Sequence, residues 1–410
     1  MNKNIKLAVA GAVLALSASA ANAGIIIPAG DWTLDIGGNV NTFATWTKQS
    51  GDYRNAPLGL SNEGGNKTVQ NMTTGLLPNY LSVSGSTRQN DLDVAFTISL
   101  NPGSSTTGPG FQGSQQENRQ AFLTFGDKSW GSIKVGKDLG IFASDAILND
   151  MTLLGVGSGA GALAGNTTTL GHIGTGYIYA DWKAQVAYTT PNFNGLQATV
   201  GMTQAWNTSE GQTTGYSSYS SGRRGGASPA FEGKASYSFA ANDVTGKVWV
   251  SGISQKLKGD EANSTFDTMS GSVTAYAVDI GANANFAGFG LTGYYYSGEG
   301  IGQTMQFRDG VSSFNGRKRD SDGGYVQATY VLPTKTKVGL SYGQSTLDGV
   351  GNEYFRQLTD TAWTMGAYHP LTKHLNLVAE YNESKHKQEN YYYSYEGKAR
   401  TASFGAILFF

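Results

Sequence analysis

The chain has no cysteine and little charge. Only 14% of its 410 residues are Asp, Glu, Lys or Arg, whereas soluble proteins average about 25%. The missing cysteine excludes a disulfide framework and a thiolate metal site. The formal net charge of −1 gives the chain no electrostatic affinity for nucleic acid. We therefore expect no nucleic-acid partner.

Long apolar runs are missing as well, since after residue 23 no segment could cross a bilayer as a helix. With 39% hydrophobic residues and a mean hydropathy of −0.29, the chain is not a polytopic helical membrane protein. It is instead rich in glycine (57 residues) and tyrosine (22 residues). Glycine disfavours helices, and abundant aromatic residues are untypical of disordered chains. The composition favours a large, polar β protein.

The N-terminus has the three parts of a secretory signal peptide. Two lysines precede a short apolar stretch at residues 7–16, and an A-x-A cleavage site ends at Ala23. The apolar stretch is too short for a transmembrane helix. We predict that residues 1–23 are removed and that the mature, exported chain spans residues 24–410.

Apolar and polar residues alternate along the whole mature chain, in segments of about ten residues. In residues 182–189, for example, Trp, Ala, Val and Tyr alternate with Lys, Gln, Ala and Thr. A soluble sandwich also alternates, but here the runs are long and their polar face is too rich in small and charged residues for a filled core. A transmembrane barrel, with lipid outside and water inside, accounts for both features. The sixteen predicted strands lie near residues 31–46, 78–87, 91–100, 118–126, 131–137, 179–190, 196–206, 231–239, 243–254, 272–285, 289–297, 324–332, 336–345, 361–369, 375–385 and 398–410.

The connections between these segments alternate in length. Short turns include residues 88–90, 127–130, 191–195 and 333–335. The long polar connections are residues 47–77, 101–117, 138–178, 207–230, 255–271, 298–323, 346–360 and 386–397. An even strand number, short turns on one side and long loops on the other are typical of an antiparallel outer-membrane barrel with periplasmic turns and extracellular loops.

The last strand ends the chain on an aromatic residue. Phe404, Leu408 and Phe410 share one face of this strand, and small polar residues occupy the other. A terminal Phe on an alternating strand resembles the recognition signal of outer-membrane barrels. We therefore expect the protein in the cell outer membrane.

Several segments resemble the general trimeric porins of Gram-negative bacteria. Residues 118–126 and 130–137 are similar to the strand–turn–strand unit before the third loop of that family, and residues 149–151 fall at the acidic tip of the loop. Residues 186–196 are similar to the strand and turn after the loop, and residues 368–374 to a late turn. The resemblance covers the barrel from end to end.

This resemblance implies an all-β fold, a 16-stranded antiparallel transmembrane β-barrel that packs as a homotrimer. It also implies a third loop, here residues 138–178, that folds inward and narrows the lumen. The stretch from Gly155 to Gly165 is rich in glycine, which would let the loop pack closely against the wall.

In the family, carboxylates on the third loop face basic residues on the wall, and charges at the narrowest point select among solutes. The resemblance places Asp150 at an acidic loop position, Arg119 at a wall arginine and Lys137 at the basic residue before the loop. For Asp138 and Asp145 we favour capping or turn positions over the pore lining.

Other charged positions of the family are changed in this sequence. Leu154 replaces a second carboxylate, while Tyr80 and Ala187 replace wall arginines. Lys134 and Lys183 share the parity of lumen-facing residues, and we expect them to replace these charges in part. The sign of the selectivity therefore does not follow from the family.

Two tyrosine triplets, residues 294–296 and 391–393, lie at strand ends. They indicate an interfacial aromatic girdle or, alternatively, a stacking platform for a sugar or aromatic solute. Residues 316–323 form a charged loop tip, which is either solvated or a contact for lipopolysaccharide phosphates.

The chain carries no motif for catalysis or for a cofactor. Residues 339–343 match G-x-S-x-G, but no helix is predicted after the serine, so the context of a nucleophile elbow is missing. The four histidines show no metal-ligand spacing. We predict no enzyme, no catalytic residue, no cofactor and no metal.

The resemblance implies an outer-membrane porin, a water-filled channel for passive diffusion of ions and small hydrophilic solutes. Its expected surroundings are outer-membrane lipid and lipopolysaccharide. Two alternatives stay open: a substrate-specific channel, and a non-conducting adhesin or structural barrel whose long loops are the functional part. Saturable flux would mark the first, and surface binding without conductance the second.

Overall fold

The computed structural model describes residues 24–51, 68–105, 116–158, 168–206, 228–258, 272–312, 315–351, 353 and 355–410. The predicted signal peptide, residues 1–23, lies outside these described residues. A short α-helix, α1 (Ser144–Asn149), is followed by a 3-10 helix (Met151–Leu154). In the described part of the chain no helix is long and apolar enough to cross a membrane.

The described strands form one antiparallel sheet. They are β1 (Ile25–Ala29), β2 (Trp32–Gly51), β3 (Thr68–Thr73), β4 (Tyr80–Gln89), β5 (Leu92–Pro102), β6 (Gln116–Glu117), β7 (Ala121–Asp127), β8 (Gly131–Leu139), β9 (Trp182–Thr189), β10 (Leu196–Thr203), β11 (Ala230–Ala241), β12 (Val244–Lys258), β13 (Ser272–Phe286), β14 (Phe289–Glu299), β15 (Asp320–Val331), β16 (Lys337–Asp348), β17 (Phe355–Pro370), β18 (Leu375–Asn390) and β19 (Ser394–Phe409).

The sheet closes into a barrel because β19 pairs with β2, from Gly397 opposite Gly51 to Phe409 opposite Asn39. β3 and β4 both pair with β2, and β6 and β7 both pair with β5, so each of these couples is one interrupted barrel strand. β1 pairs with the start of β2, beyond the end of β19. The prediction of an all-β, closed, antiparallel barrel of sixteen strands is confirmed.

Each predicted strand overlaps one barrel strand, and the main differences lie on the side of the long loops. Residues 68–73 form β3 inside the predicted loop 47–77. β18 and β19 are each 16 residues long and extend into the predicted loop 386–397. There, polar residues such as Lys387 and Gln388 occupy both faces, so the apolar–polar alternation that marks a strand is absent.

The two faces of the barrel wall differ as the alternation predicts. On β18, Leu377 is 42% exposed on the outer face, whereas Asn376 and Asn382 are buried on the inner face. Outward aromatic residues pack across strands, since the rings of Trp46 and Phe404 stack with centroids 5.5 Å apart. An apolar exterior around a polar interior is the pattern of barrel strands that cross a membrane.

Tight turns connect the strands at one end of the barrel. Asn90 and Asp91 both have positive φ, 48° and 62°, which is the combination of a type I′ hairpin turn. The long connections lie at the other end. Two of them, residues 140–181 (L3) and residues 300–319 (L6), are largely buried in the residues that the structure describes. These loops supply half of the buried residues in the main apolar cluster of the barrel interior.

Candidate functional site

L3 enters the barrel directly after β8 and follows its inner wall. Residues 141–156 form hydrogen bonds with inward side chains of β11, β12, β13, β15 and β18, in that order. Apolar residues of the two short helices, such as Ala146 and Leu153, are buried in the cluster that L3 forms with side chains of the wall. Residues 159–167 lie outside the described residues, and the return arm, residues 168–181, leads back to β9. The structure thus places the third loop inside the barrel, as predicted.

Two buried glutamates of the wall bind the two ends of this path. Glu232 Oε2 accepts hydrogen bonds from the consecutive backbone N–H groups of residues 141–142, both at 2.8 Å. Glu380 Oε2 accepts hydrogen bonds from those of residues 156–157, again both at 2.8 Å. The wall therefore fixes L3 before α1 and after the 3-10 helix.

Between these ends, Asp145 of α1 pairs with two lysines of the wall. Its carboxylate lies 2.8 Å from Lys234 Nζ and also contacts Lys247 Nζ. Burial raises the pKa of Asp145, but the two ammonium groups outweigh it and hold the pKa below its ordinary value. The Asp145 side chain is 5% exposed, whereas Lys234 and Lys247 are 16% and 28% exposed. The exposed part of this cluster is therefore cationic.

Asp150, the predicted acidic residue of the constriction, is buried and caps the 3-10 helix. Its carboxylate accepts hydrogen bonds from the Thr152 amide (2.9 Å), the His172 amide (3.2 Å) and the Tyr177 hydroxyl (2.8 Å). Burial and the charge of Asp150 raise the pKa of Tyr177 well above its ordinary value, so the phenol remains a donor. Within the described residues no basic side chain pairs with Asp150. In this structure Asp150 orders L3.

Lys183, also predicted for the constriction, is completely buried. Its Nζ donates to Glu232 Oε1 at 2.6 Å and to Gln306 Oε1 at 2.7 Å. Because Gln306 belongs to L6, Lys183 joins the wall to a second loop instead of facing the lumen.

Arg119 and Lys137 lie near the loop ends of β7 and β8. The Arg119 side chain is 7% exposed, and its guanidinium donates to Glu117 at 2.8 Å and to Thr168 of L3 at 3.5 Å. Lys137 shares the outer face of β8 with Val135, is exposed and donates to a backbone carbonyl at 2.8 Å. The structure does not bring these two side chains to the Asp145 cluster, and their place at the constriction stays a prediction.

Lys134 is the predicted site residue that keeps an inward, water-exposed side chain. It pairs with Asp138, and its Nζ lies 4.8 Å from the centroid of the Phe122 ring, a cation–π contact. Lys134 is 24% exposed and Asp138 is 5% exposed. Again the carboxylate is buried and the ammonium group is accessible.

Four charged wall residues that bind L3 were missed by sequence reasoning: Glu232, Lys234, Lys247 and Glu380. Each lies on the polar side of an alternating strand, as in Phe-Glu-Gly-Lys-Ala at residues 231–235. An inward charge in the middle of a strand was the available signal. The same signal marks Lys134 and Lys183, which neighbour the segments that resemble the family.

The tyrosine triplets differ in their environment. Tyr294 and Tyr296 point inward and are buried, whereas Tyr295 is 50% exposed on the outer face. Of the first triplet, Tyr295 alone therefore has the outward position of a girdle residue. Residues 391–393 are exposed between β18 and β19, and Tyr392 is 95% exposed.

Neither a metal-binding cluster nor a nucleophile elbow is found among the described residues. No group of three or more His, Asp or Glu within them could hold a metal ion. Ser341 of the G-x-S-x-G match lies within β16, where it pairs with Gln327 of β15 and Thr364 of β17. A nucleophile elbow requires a helix after the serine, and here the strand continues.

Comparison with known proteins extends these observations. The model of the Gram-negative porin family matches residues 9–389. A search of curated proteins finds no significant match. The outer membrane channel DcaP of Acinetobacter baumannii is structurally similar, with a TM-score of 0.63 and 14% identity over 92% of this chain and 98% of that one.

Two further solved structures share the barrel. The anion-selective porin from Comamonas acidovorans has a TM-score of 0.57 and 14% identity, covering 92% of this chain and 100% of its own. The trimer form of in-vitro folded OmpT from Vibrio cholerae has a TM-score of 0.53 and 12% identity, covering 92% and 99%. At these identities the similarity establishes a common fold.

The family match spans most of the chain, and the barrel agrees with it, because an apolar exterior suits lipid and a polar interior suits hydrated solutes. L3, bound along the inner wall, occupies part of the barrel interior. The chain belongs to the Gram-negative porins and forms an outer-membrane channel for the passive diffusion of small solutes.

Proposed function

We propose that L3 forms the constriction of this porin and that the pore prefers small anions. The observation that carries the proposal is the unequal exposure of the ion pairs on the inner wall. Lys134 and Asp138 are 24% and 5% exposed, and Lys247 and Asp145 are 28% and 5% exposed. Each carboxylate lies behind its lysine, so a solute in the lumen meets ammonium groups first. In a narrow pore the sign of the accessible charge decides which ions are favoured.

The balance of charge within the clusters supports the same sign. Lys234 and Lys247 share the one carboxylate of Asp145, which leaves this cluster with a net positive charge. The completely buried pair of Lys183 and Glu232 adds no net charge. Anion preference is compatible with the barrel, because one porin of the same fold is described as anion-selective.

The proposed solutes are ions and small hydrophilic molecules in general, with no catalysis, cofactor or metal involved. Hydroxyl groups on the inner wall support this breadth, for example the pair of Ser84 and Thr97 at 2.9 Å and that of Thr189 and Thr199 at 3.0 Å. Such groups hydrogen-bond many solutes without a fixed geometry. Flux that rises linearly with solute concentration is expected, whereas saturable flux would favour a substrate-specific channel.

We propose in addition that the chain is exported with loss of residues 1–23 and assembles as a homotrimer in outer-membrane lipid and lipopolysaccharide. The trimer is supported by the fold shared with OmpT, which is described in a trimer form. Mass spectrometry of the protein from outer membranes should give a chain that begins at Gly24, and cross-linking should stop at three subunits.

The selectivity is tested by reversal potential in a planar bilayer under a salt gradient. We expect the wild type to favour the anion, and Lys134→Gln and Lys247→Gln each to move the reversal potential toward the cation. Lys256→Gln is the matched control, since Lys256 is exposed on the outer face of the same strand as Lys247. A cation-selective wild type, or lumen variants that behave like the control, would reject the proposal.

A further inference from the structure

L6, residues 300–319, is folded into a compact structure inside the barrel mouth. Its residues 313–314 lie outside the described residues. Ile301 and Phe307 are completely buried, and Phe307 has a left-handed φ of 63°. A bulky residue adopts this conformation only where its surroundings impose it. L6 therefore has a defined conformation rather than that of a solvated loop.

L6 reaches nearly across the barrel. It connects β14 with β15, which lie five and six strands away from β9 around a barrel of sixteen. Nevertheless the side chain of Gln306 bonds at the start of β9: its Oε1 accepts from Lys183 at 2.7 Å, and its Nε2 donates to the carbonyl of Ala180 at 3.0 Å. A chord between strands so far apart is close to the barrel diameter. L6 must cross the lumen to make these contacts.

L6 crosses the lumen together with the return arm of L3. The Tyr179 amide donates to the Thr304 carbonyl at 2.9 Å, and a Cβ built on Gly174 would lie 3.1 Å from Thr304 Cβ. Gln303 Nε2 donates to the Ser345 carbonyl of β16 at 2.8 Å. We call residues 174–180 of L3 and residues 303–306 of L6, which run side by side, the crossbar.

Charged groups bind L6 in two places. At the far end of the crossbar, Lys183 connects Gln306 with Glu232 of β11. Outside the crossbar, where L6 leads into β15, Arg319 bonds with Glu353 at 2.5 Å and donates to the Asp309 carbonyl at 2.6 Å. Arg319 is thus buried, although the sequence indicated a charged loop tip over residues 316–323.

We infer that L6 is a second constricting loop, which limits solute size on the extracellular side of L3, and that Gln306 is the residue that positions it. The crossbar occupies cross-section that solutes would otherwise use, and it is uncharged at Gln303, Thr304 and Gln306. It therefore acts on size, while the lysines of the wall act on charge. The inference rests on the channel and not on the proposed anion preference.

Shortening L6 tests this inference. Gly302 and Arg308 form a β-bridge, so deletion of residues 303–307 leaves two ends that are already close together. We expect single-channel conductance to rise on the order of twofold, as for a widened pore, and liposome swelling to detect larger neutral sugars. The reversal potential is expected to stay unchanged. A folded deletion variant with wild-type conductance and wild-type sugar limit would overturn the inference.

A cross-link tests it without removing residues that pack. The chain contains no cysteine, so Gly174→Cys with Thr304→Cys introduces a single pair at a spacing slightly below that of a disulfide. If L6 is fixed in the crossbar, oxidised and reduced forms conduct alike, and Thr304→Cys alone is the control. A conductance that falls on oxidation and recovers on reduction would show that L6 leaves the crossbar in the conducting state, and would overturn the inference.

The positioning role of Gln306 has a separate readout. We expect Gln306→Ala to increase conductance noise and the sugar limit, with the ion preference unchanged, because Lys183 keeps its bond to Glu232. Gln303→Ala is the matched variant, because Gln303 lies at the other end of residues 303–306. It should increase the conductance noise less than Gln306→Ala, since it leaves the contacts of Gln306 at β9 in place. A Gln306→Ala channel as quiet as the wild type would remove Gln306 from the inference.

Discussion

Glu232 and Glu380 bind L3 in the same manner from distant parts of the wall. Each uses its Oε2 to accept hydrogen bonds at 2.8 Å from two consecutive backbone N–H groups of the loop. Their strands, β11 and β18, are seven strands apart in the sheet order, so the two contacts lie on nearly opposite sides of the barrel. Between these two contacts L3 follows the inner wall past β12, β13 and β15, so the two glutamates hold the ends of a path that runs around nearly half of the barrel. The proposed constriction is built on these two contacts.

Removal of the Glu380 carboxylate should release the later end of L3. Glu380→Ala leaves the amides of residues 156–157 buried without an acceptor, which costs about 1–3 kcal/mol for each group. We expect faster amide exchange in this segment and a noisier open channel. Ser384→Ala is the control, because Ser384 is buried on the same face of β18 and forms no hydrogen bond with the described residues of L3. Equal exchange in both variants would contradict this role of Glu380.

Gly155 is required because the loop passes directly over the Glu380 carboxylate. A Cβ at this position would lie 2.7 Å from Glu380 Oε2 and closer still to other carboxylate atoms. Gly155→Ala should therefore displace L3 at a cost of about 1–3 kcal/mol, as in overpacked cores. Thermal unfolding of the refolded barrel measures this loss.

Whether the Glu380 carboxylate is the reason for a glycine at position 155 can be tested by combining the two substitutions. In a Glu380→Ala background the methyl group meets no carboxylate, so Gly155→Ala should cost clearly less, a non-additivity that a double-mutant cycle detects. Gly293→Ala is the control, since a Cβ at Gly293 has nothing within 4 Å. Strict additivity would mean that Gly155 is needed for another reason.

The Asp145 cluster gives a pH dependence with a defined sign. Lys234 and Lys247 hold the pKa of Asp145 below its ordinary value of 3.8 against the opposing effect of burial. A depressed carboxyl pKa stabilises the folded loop above the ordinary pKa, and this contribution is lost as the pH falls through the depressed value. The contribution of Asp145 to the exchange protection of α1 should therefore persist down to below pH 3.8.

Removing the two lysines reverses that balance. The double variant Lys234→Ala/Lys247→Ala lacks both ammonium groups. Burial then becomes the main influence on Asp145, and burial raises the pKa of its carboxyl group. The loss of L3 protection on acidification should then move to a higher pH than in the wild type. Lys256→Ala, outward on the strand of Lys247, should leave the transition in place. A double variant with the wild-type transition would show that the lysines do not bind L3.

The barrel could be predicted from sequence because apolar and polar side chains alternate along each strand. In residues 182–189 every second side chain meets lipid and every other one meets the interior, so the pattern survives whatever the neighbouring strands contain. The parts of β18 and β19 that extend into the predicted loop 386–397 were not predicted as strands, because both of their faces are polar, as at Lys387 and Gln388. Where lipid no longer imposes the alternation, the sequence carries no strand signal.

The site was harder to predict because its contacts join distant residues. Lys183 and Glu232 are 49 positions apart, and Val156 and Glu380 are 224 apart. Resemblance to a family located L3 correctly but did not orient the Asp150 carboxylate. A local signal for that orientation existed, since Asp is among the residues preferred at a helix N-cap, where its side chain accepts from the backbone.

The pair of Lys183 and Glu232 should be a large contributor to barrel stability. Both side chains are completely buried, and Glu232 also accepts from Thr203 Oγ1 at 2.8 Å and from L3. Lys183→Met removes the cation and leaves an uncompensated buried carboxylate, a change that costs about 3–5 kcal/mol in other proteins. Urea unfolding of the barrel in lipid vesicles, followed by tryptophan fluorescence, should show this loss.

A double variant decides whether the unpaired charge or the altered packing causes the loss of stability in Lys183→Met. Adding Glu232→Gln to Lys183→Met removes the unpaired charge while its amide oxygen still accepts hydrogen bonds, so part of the stability should return. Lys256→Met, on the outer face, controls for the loss of a lysine as such. If the double variant is less stable than Lys183→Met alone, packing around Gln306 and Thr203 dominates instead, and the ion pair serves mainly to join L6 to the wall.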